Sequence, residues 1–170
     1  MRRIAAAAWP DWCWRAPCVC GCGDQRTAEF VRETCMAALD DPANLERIAT
    51  AGNWPRFIDR SSPQLSFMTV IGTWRANVVD GSMLVSVATS VSRGRPQTIC
   101  TIVFEDAKPS RARFLPALTA GWRLDAIMDS SSALRTEMYA VRAERAADMT
   151  LQMTSTRDVD VVSTTLLATK

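Results

Sequence analysis

The sequence predicts an α+β domain in which two or three helices cover one face of a mostly antiparallel sheet of about six or seven strands. Apolar residues recur at helical intervals in the first part of the body, alternate with polar ones from residue 68 onward, and are interrupted by Gly, Pro and Asp turns. With 170 residues, 48% of them hydrophobic, the chain is the size of one domain with its own core. We expect that domain to span residues 24–170.

Two helices are predicted first. One side of the first helix carries the apolar residues Phe30, Val31, Cys35, Ala38 and Leu39. Asp41 is a suitable N-cap and Pro42 a suitable first residue for a second helix, which ends at Gly52. Residues 53–64 contain two prolines and two serines, which indicates a loop.

Three strands follow as a meander. Alternation of apolar and polar residues begins at Met68, and Asp80-Gly81 is a strong hairpin signal. We expect the return strand to direct Met83, Val85, Val87 and Val91 inward. After a turn at 93–96, a third strand at 97–105 directs Cys100, Ile102 and Phe104 to one face.

A second helix-then-strands unit is predicted from residue 114. A short helix around Pro116 ends at Gly121, and Trp122, Leu124, Ala126 and Met128 then alternate along a strand. Both helices that precede a strand are followed by a glycine with a tryptophan close behind, as at Gly52 and Gly121. This similarity suggests a duplicated helix-plus-meander unit, although shared capping chemistry explains it as well.

The last third of the chain predicts three more strands. Residues 134–143 favour helix by propensity but lack a clean helical stripe, so we predict a strand, with helix as the alternative. Two further strands are indicated by alternating residues: Met149, Leu151, Met153, and then Val159, Val161, Leu167. No apolar run approaches the ~20 residues of a membrane-spanning helix.

Residues 1–23 differ in composition from the rest and hold three of six tryptophans and four of six cysteines. A metal site is one interpretation, but the four cysteines follow a C-x4-C-x-C-x-C spacing that does not match the usual zinc pairs, and the chain has no histidine. A disulfide knot is a second interpretation, although next-but-one cysteines bridge each other only with strain. We therefore predict no metal and no cofactor.

The third interpretation is a secretory leader whose reading frame has slipped. Trp and Cys codons, read from the third base of the preceding codon, give codons ending in TG, which encode Leu, Val or Met. Applied from Ala8 to Arg15, this shift produces an apolar segment behind the basic residues Arg2 and Arg3, as in a signal peptide. We favour this interpretation, and it predicts a bacterial protein that is periplasmic or secreted.

Two cysteines remain in the body, Cys35 and Cys100, each on the apolar face of its element. An even number of cysteines in an exported protein favours a disulfide between them. The alternative is two buried free thiols, since unpaired cysteine is among the most buried residue types.

The charges of the body argue against an electrostatic partner. The whole chain has 20 basic and 18 acidic residues, and residues 24–170 keep 17 of each, so the body is neutral. Binding to nucleic acid needs a surplus of clustered positive charge. We therefore expect no nucleic-acid partner.

Few residues suggest catalysis. The absence of histidine removes the usual general base and metal ligand. Three carboxylates, Asp125, Asp129 and Glu137, could line one end of the sheet, but the alternation of their strand also explains the two aspartates as outward positions. No catalytic residue is assigned.

Six residues are weak candidates for ligand binding. Four arginines form a local concentration of positive charge that could hold a carboxylate or a phosphate, and two tryptophans could wall a cleft. These residues are Arg93, Arg95, Arg111, Arg113, Trp54 and Trp122. Their other interpretation is solvated turn positions and core packing.

These observations predict an exported, non-catalytic binding or accessory domain for a protein or a small ligand. The alternative is a hydrolase or transferase that depends on carboxylates and arginine. Convergence of Asp125, Asp129 and Glu137 in one pocket would favour the enzyme.

Overall fold

The computed structural model describes residues 22–57, 68–78, 81–106, 108–131, 134–143, 146–156 and 160–169. The helices are α1 (Cys22–Asp40), α2 (Ala43–Ala51) and α3 (Arg111–Leu118). The strands of the first half are β1 (Met68–Val78), β2 (Gly81–Ser92) and β3 (Arg95–Phe104). Those of the second half are β4 (Arg123–Ser131), β5 (Leu134–Ala143), β6 (Ala146–Thr156) and β7 (Val161–Thr169).

The seven strands form one antiparallel sheet in the order β1-β2-β3-β7-β6-β5-β4. Each half of the chain is helical first and then a meander, and the last strands of the two halves, β3 and β7, pair in the middle of the sheet. The first strands, β1 and β4, are therefore the two edges. The α+β prediction is confirmed. In the described residues the first half has two helices and three strands and the second half one helix and four strands, so the two halves do not match element for element.

The helices lie on one face of the sheet. Helix α1 contacts the central strands β3 and β7 and also both other helices. Its inward residues Ala28, Val31, Cys35 and Ala38 are at most 1% exposed, and they recur at the three- to four-residue intervals that place side chains on one side of a helix. Opposite them, the sheet contributes alternate residues of β2, β3, β6 and β7, and this layer is the core.

Most predicted strand faces are confirmed. Met83, Val85 and Val87 on β2 are fully buried, as are Cys100 and Ile102 on β3. Residues 134–143 form strand β5, so that segment is a strand rather than a helix. Val91 was expected to be buried, but it is 66% exposed because it lies at the turn end of β2, next to Arg93 and Gly94.

A bulge in β4 overturns one predicted face. Ala126 pairs with Tyr139 and Met128 pairs with Met138, so one residue of β4, Ile127, has no partner on β5. The extra residue reverses the alternation beyond it. Met128, expected inward, therefore faces away from the helices and is 44% exposed.

The two glycine joins use glycine for different reasons. Gly121 adopts a left-handed conformation with φ 79°, which favours glycine after a helix. Gly52 has φ −84°, and the left-handed residue at that join is Asn53, with φ 52°. A Cβ atom on Gly52 would overlap the indole ring of Trp54, so glycine is required there by the close approach of the ring.

Two predictions fall partly or wholly outside the described residues: the loop at 53–64, of which only 53–57 are described, and the strand position Val159. None of the helices in the described part of the chain combines the length and the apolar character that a membrane crossing requires.

Candidate functional site

The two cysteines of the body meet in the core. Cys35 on α1 and Cys100 on β3 are at most 1% exposed, and their Sγ atoms are at disulfide-bonding distance. They are 65 residues apart in the sequence. The bond therefore ties the first helix to the middle of the sheet.

The three candidate carboxylates lie on two faces of the sheet. Asp125 pairs in register with Ala140 and lies on the face away from the helices, where Arg142 Nε contacts it at 2.9 Å. Asp129 pairs with Glu137 across β4 and β5, on the helix side. The bulge between the two aspartates separates them, because without it residues four apart would share a face. Two of the three carboxylates converge and the third does not.

Glu137 is the centre of a buried ion-pair network. Its side chain is 4% exposed, and Arg111, the first residue of α3, donates to both carboxylate oxygens, with Nε 2.7 Å from Oε2 and Nη2 2.6 Å from Oε1. The Tyr139 hydroxyl donates to Oε1 at 2.9 Å, and Arg135 Nη2 lies 3.1 Å from the same oxygen. Arg135 also donates to both oxygens of Asp129, at 3.1 and 2.7 Å. We call these five residues the Glu137 network.

The network fixes the protonation states of its members. Burial alone raises the pKa of Glu137, but hydrogen bonds from Arg111 and Tyr139 and the charges of both arginines outweigh it, so the pKa lies below its usual value. The hydrogen bond from Arg135 lowers the pKa of Asp129. Burial and the hydrogen bond to Glu137 raise the pKa of Tyr139.

These contacts favour a structural role for the network over an acid–base one. A general acid or base needs a pKa near the working pH and access to a substrate proton. Glu137 is instead a buried carboxylate with hydrogen bonds to both oxygens, and Asp129 is held by two hydrogen bonds from Arg135. Two positive and two negative charges balance, so the network offers no surplus charge for an anionic ligand.

The four candidate arginines do not form one cluster. Arg93 and Arg95 lie at the β2–β3 turn, whereas Arg111 and Arg113 lie on α3, beyond the opposite end of β3. The ten residues of β3 place these two sites roughly 30 Å apart. Arg111 forms an ion pair with Glu137, and Arg95 Nη1 lies 3.8 Å from Asp148 Oδ2.

The two candidate tryptophans contact different sides of α1. The Trp54 ring packs on Phe30 with centroids 5.5 Å apart, and Arg32 lies over Trp122 at 5.3 Å. Residues two apart on a helix point about 200° from each other, so the two rings flank α1 rather than face each other. Each tryptophan packs the join between a helix and the next strand against α1.

The face of the sheet away from the helices, which we call the open face, has an unusual composition. Fifteen residues of the five inner strands line its middle, in three rows that run across the strands, and none is charged. They are Leu84, Ser86, Ala88, Ile99, Thr101, Val103, Ser163, Thr165, Leu167, Thr150, Gln152, Thr154, Thr136, Met138 and Ala140. Seven are serine or threonine and seven are apolar.

Two pairs of hydroxyl groups on the open face bond to each other across strands. Thr73 Oγ1 lies 3.1 Å from Ser86 Oγ, and Thr101 Oγ1 lies 3.2 Å from Thr165 Oγ1. Gln97 bridges Ser90 and Thr169 at 3.2 Å on each side. Among the described residues, charged pairs on this face lie toward its edges, such as Arg75 with Glu105, whose nitrogen and oxygen atoms lie 2.8 Å apart.

The sequence analysis identified some residues of the Glu137 network and missed others. It named Arg111 and Glu137 but not their contact, since α3 and β5 are separated in sequence and meet only through the fold. Arg135, Glu137 and Tyr139 occupy alternate positions of one strand, which is a readable signal once that strand is assigned. Among the described residues, no group of three or more His, Cys, Asp or Glu is arranged to hold a metal ion.

Comparison with protein-family models gives no match for this chain, and comparisons with curated proteins and with solved structures give none either.

Proposed function

We propose that this chain is an exported, non-catalytic binding domain that uses the open face of its sheet. The observation that carries the proposal is the absence of charge from the fifteen middle positions of that face. A charged fraction of 22% would place about three charges on fifteen positions, and more on a face exposed to water, because charged side chains are mostly exposed. An uncharged, partly apolar surface is typical of a face that another molecule covers.

Several middle residues expose apolar surface to solvent. Val103 is 37% exposed, and Leu84, Ile99, Leu167 and Met138 are half-buried. Serine, threonine and alanine fill most of the positions between them. These short side chains lose little conformational freedom when they are covered, so covering the face costs little entropy.

Export is supported by the cysteine pair and by the composition of residues 1–23. A sulfur pair at bonding distance in the core is typical of proteins that fold in an oxidising compartment. Residues 1–21 lie outside the described part of the chain, and α1 begins at Cys22, just before the predicted start of the body. The slipped-leader hypothesis therefore depends on the sequence alone.

The alternative enzyme function has little support from the Glu137 network. Its two converging carboxylates are both ion-paired, and their pKa values are both lowered, so each is a stable anion near neutral pH. The third carboxylate, Asp125, lies on the other face.

Site-specific photocrosslinking in the cells that make the chain tests the binding face. A photoreactive benzophenone amino acid replaces Gln152 or Val103, both exposed on the open face, and Ala112, exposed on α3, is the matched control. We expect crosslinked products from the two open-face positions and few from the control, because only the open face is covered in the cell.

The pattern of crosslinking decides the proposal. Products from Ala112 as abundant as those from Gln152 and Val103, or no products from the open face, would contradict it. The mass of the product separates a second copy of the chain from a different protein.

A further inference from the structure

We infer that the partner of the open face is a second copy of this chain, so that two sheets pack face to face in a homodimer. The inference rests on the proposed function, because it names the occupant of the same face. Four properties of the face support a second copy: its uncharged middle, its size, its short side chains and the pairs of hydroxyl groups that bond within one copy.

Charged groups of both signs lie at the edges of the open face, in contact with one another within each copy. Arg75 pairs with Glu105 near the β1 edge, and Arg123 and Arg142 flank Asp125 at the β4 edge. In a two-fold dimer the same surface is used by both partners, so any surplus of one sign would repel itself. The middle of the open face has no charge and so no such repulsion, and the one surplus positive charge of the named groups lies at the β4 edge.

The same charge pattern argues against other classes of partner. Nucleic acids and anionic membranes require clustered surplus positive charge, which the middle of this face lacks. Sugar binding commonly uses aromatic stacking, and none of the fifteen middle residues is aromatic. A neutral protein surface with the same mixture of short polar and apolar side chains fits better, and this chain supplies one.

The size of the face suits a stable dimer. Seven strands spaced about 4.8 Å apart give a width of roughly 29 Å, and strands of about ten residues give a length of roughly 33 Å. The product is roughly 950 Å² for each copy, against the ~800 Å² per partner of a standard stable interface. The fifteen uncharged residues cover five residues of each of the five inner strands, roughly 24 by 17 Å, which is less than half of this area.

Two pairs of hydroxyl groups on the face keep a hydrogen-bond partner when the face is buried. Thr73 pairs with Ser86, and Thr101 pairs with Thr165, within one copy. Burying a polar group is costly when its hydrogen bond is lost, and these pairs keep theirs when water is excluded. Short side chains also permit the ~10 Å separation at which two sheets pack.

Sedimentation velocity of the full chain tests the inference, with free thiols blocked by iodoacetamide so that no dimer is covalent. We expect a species of twice the 18.7 kDa chain mass at tens of micromolar protein, dissociating on dilution. Gln152→Arg and Val103→Arg place a charge in the middle of the face at exposed positions of β6 and β3. Each should raise the dimer Kd by at least about tenfold, because like charges meet across the interface.

Ala112→Arg adds the same charge to the exposed surface of α3 and should leave the dimer unchanged. Circular dichroism spectra that match the unsubstituted chain show that the open-face variants still fold. A chain that is monomeric at roughly 100 µM, where a dimer with a micromolar Kd is nearly complete, or a dimer that persists in both variants, overturns the inference. Photocrosslinks from the open face to a different protein would leave the binding function standing while the second copy is excluded.

Discussion

At the scale of single residues, Glu137 shows how a buried charge is kept in this fold. A carboxylate that is 4% exposed is costly unless its oxygens are satisfied, and here Arg111, Tyr139 and Arg135 supply the donors. These donors come from α3 and β5, so the network attaches the short third helix to the second half of the sheet. The residue is a structural anchor.

Glu137→Gln should lower the free energy of unfolding at pH 7 by about 2–3 kcal/mol. The amide keeps the shape but not the charge, which leaves Arg111 without its partner; the loss is at the lower end for buried pairs because Arg111 keeps some contact with water. Urea denaturation followed by tryptophan fluorescence measures it. The control Asp125→Asn, at a more exposed pair, should change stability by about 0.5 kcal/mol or less.

The same variant should also change the acid side of the stability profile. The pKa of Glu137 is lowered in the folded chain, so its contribution is complete above the ordinary value of about 4.3 and is lost as the pH falls through the folded pKa. The amide introduced by Glu137→Gln does not titrate, so the variant should lose less stability between pH 5 and pH 3, a window set by the ~4.3 value. Equal losses in both proteins would exclude Glu137 as a stabilising anion.

At the scale of elements, the cysteine pair between α1 and β3 joins the helical layer to the middle of the sheet. Cys35 and Cys100 occupy inward positions of elements that already pack together. Trp54 and Trp122 reinforce the same layer, because each packs the join that follows its helix against α1. Helix α1 is thus held from the sheet and from both neighbouring helices.

The double substitution Cys35→Ala and Cys100→Ala should reduce the free energy of unfolding by about 2–4 kcal/mol, since a bond across 65 residues restricts the unfolded chain. Urea denaturation with and without dithiothreitol is the measurement. Dithiothreitol should lower the free energy of unfolding of the unsubstituted chain by a similar amount and leave that of the double variant unchanged. An unsubstituted chain that is indifferent to reductant would show that the two thiols are free.

The β4 bulge is an element-scale feature that changes the chemistry of the site. It places Asp125 and Asp129 on opposite faces, and only Asp129 joins the Glu137 network. Strict alternation along the strand predicted both aspartates on one side. One inserted residue therefore decided which carboxylates converge.

At the scale of the whole molecule, the sheet separates two environments. Its helix side holds the core and the Glu137 network, and its open face carries the uncharged middle with charged pairs at the edges. The three helices of the described residues all lie on one of the two faces. This asymmetry is the reason for placing binding on the open face and stability on the other.

Resequencing the coding DNA across codons 8–23 tests whether the chain carries a frame-slipped secretory leader and is exported. We expect a frame discontinuity there and, once the frame is restored, a chain that leaves the cytoplasm with Cys35 and Cys100 resistant to alkylation until reduced. Cell fractionation and mass spectrometry provide the measurements. An intact frame across these codons would rule out the slipped leader.

Local sequence patterns were enough to predict much of the fold of this protein. The periodicities of 3.6 and 2, the turn residues and the inward positions of Cys35 and Cys100 are properties of short segments, so the sequence alone determined the α+β class, strand β5 and the facing of most core residues. What joins distant segments was decided by the tertiary structure: the order of the strands, the contact of Arg111 with Glu137, and the separation of Arg93 and Arg95 from Arg111. The bulge at Ile127 and the uncharged middle of the open face also emerged only there. A one-residue insertion and a surface built from five strands leave no periodic signal in any one segment.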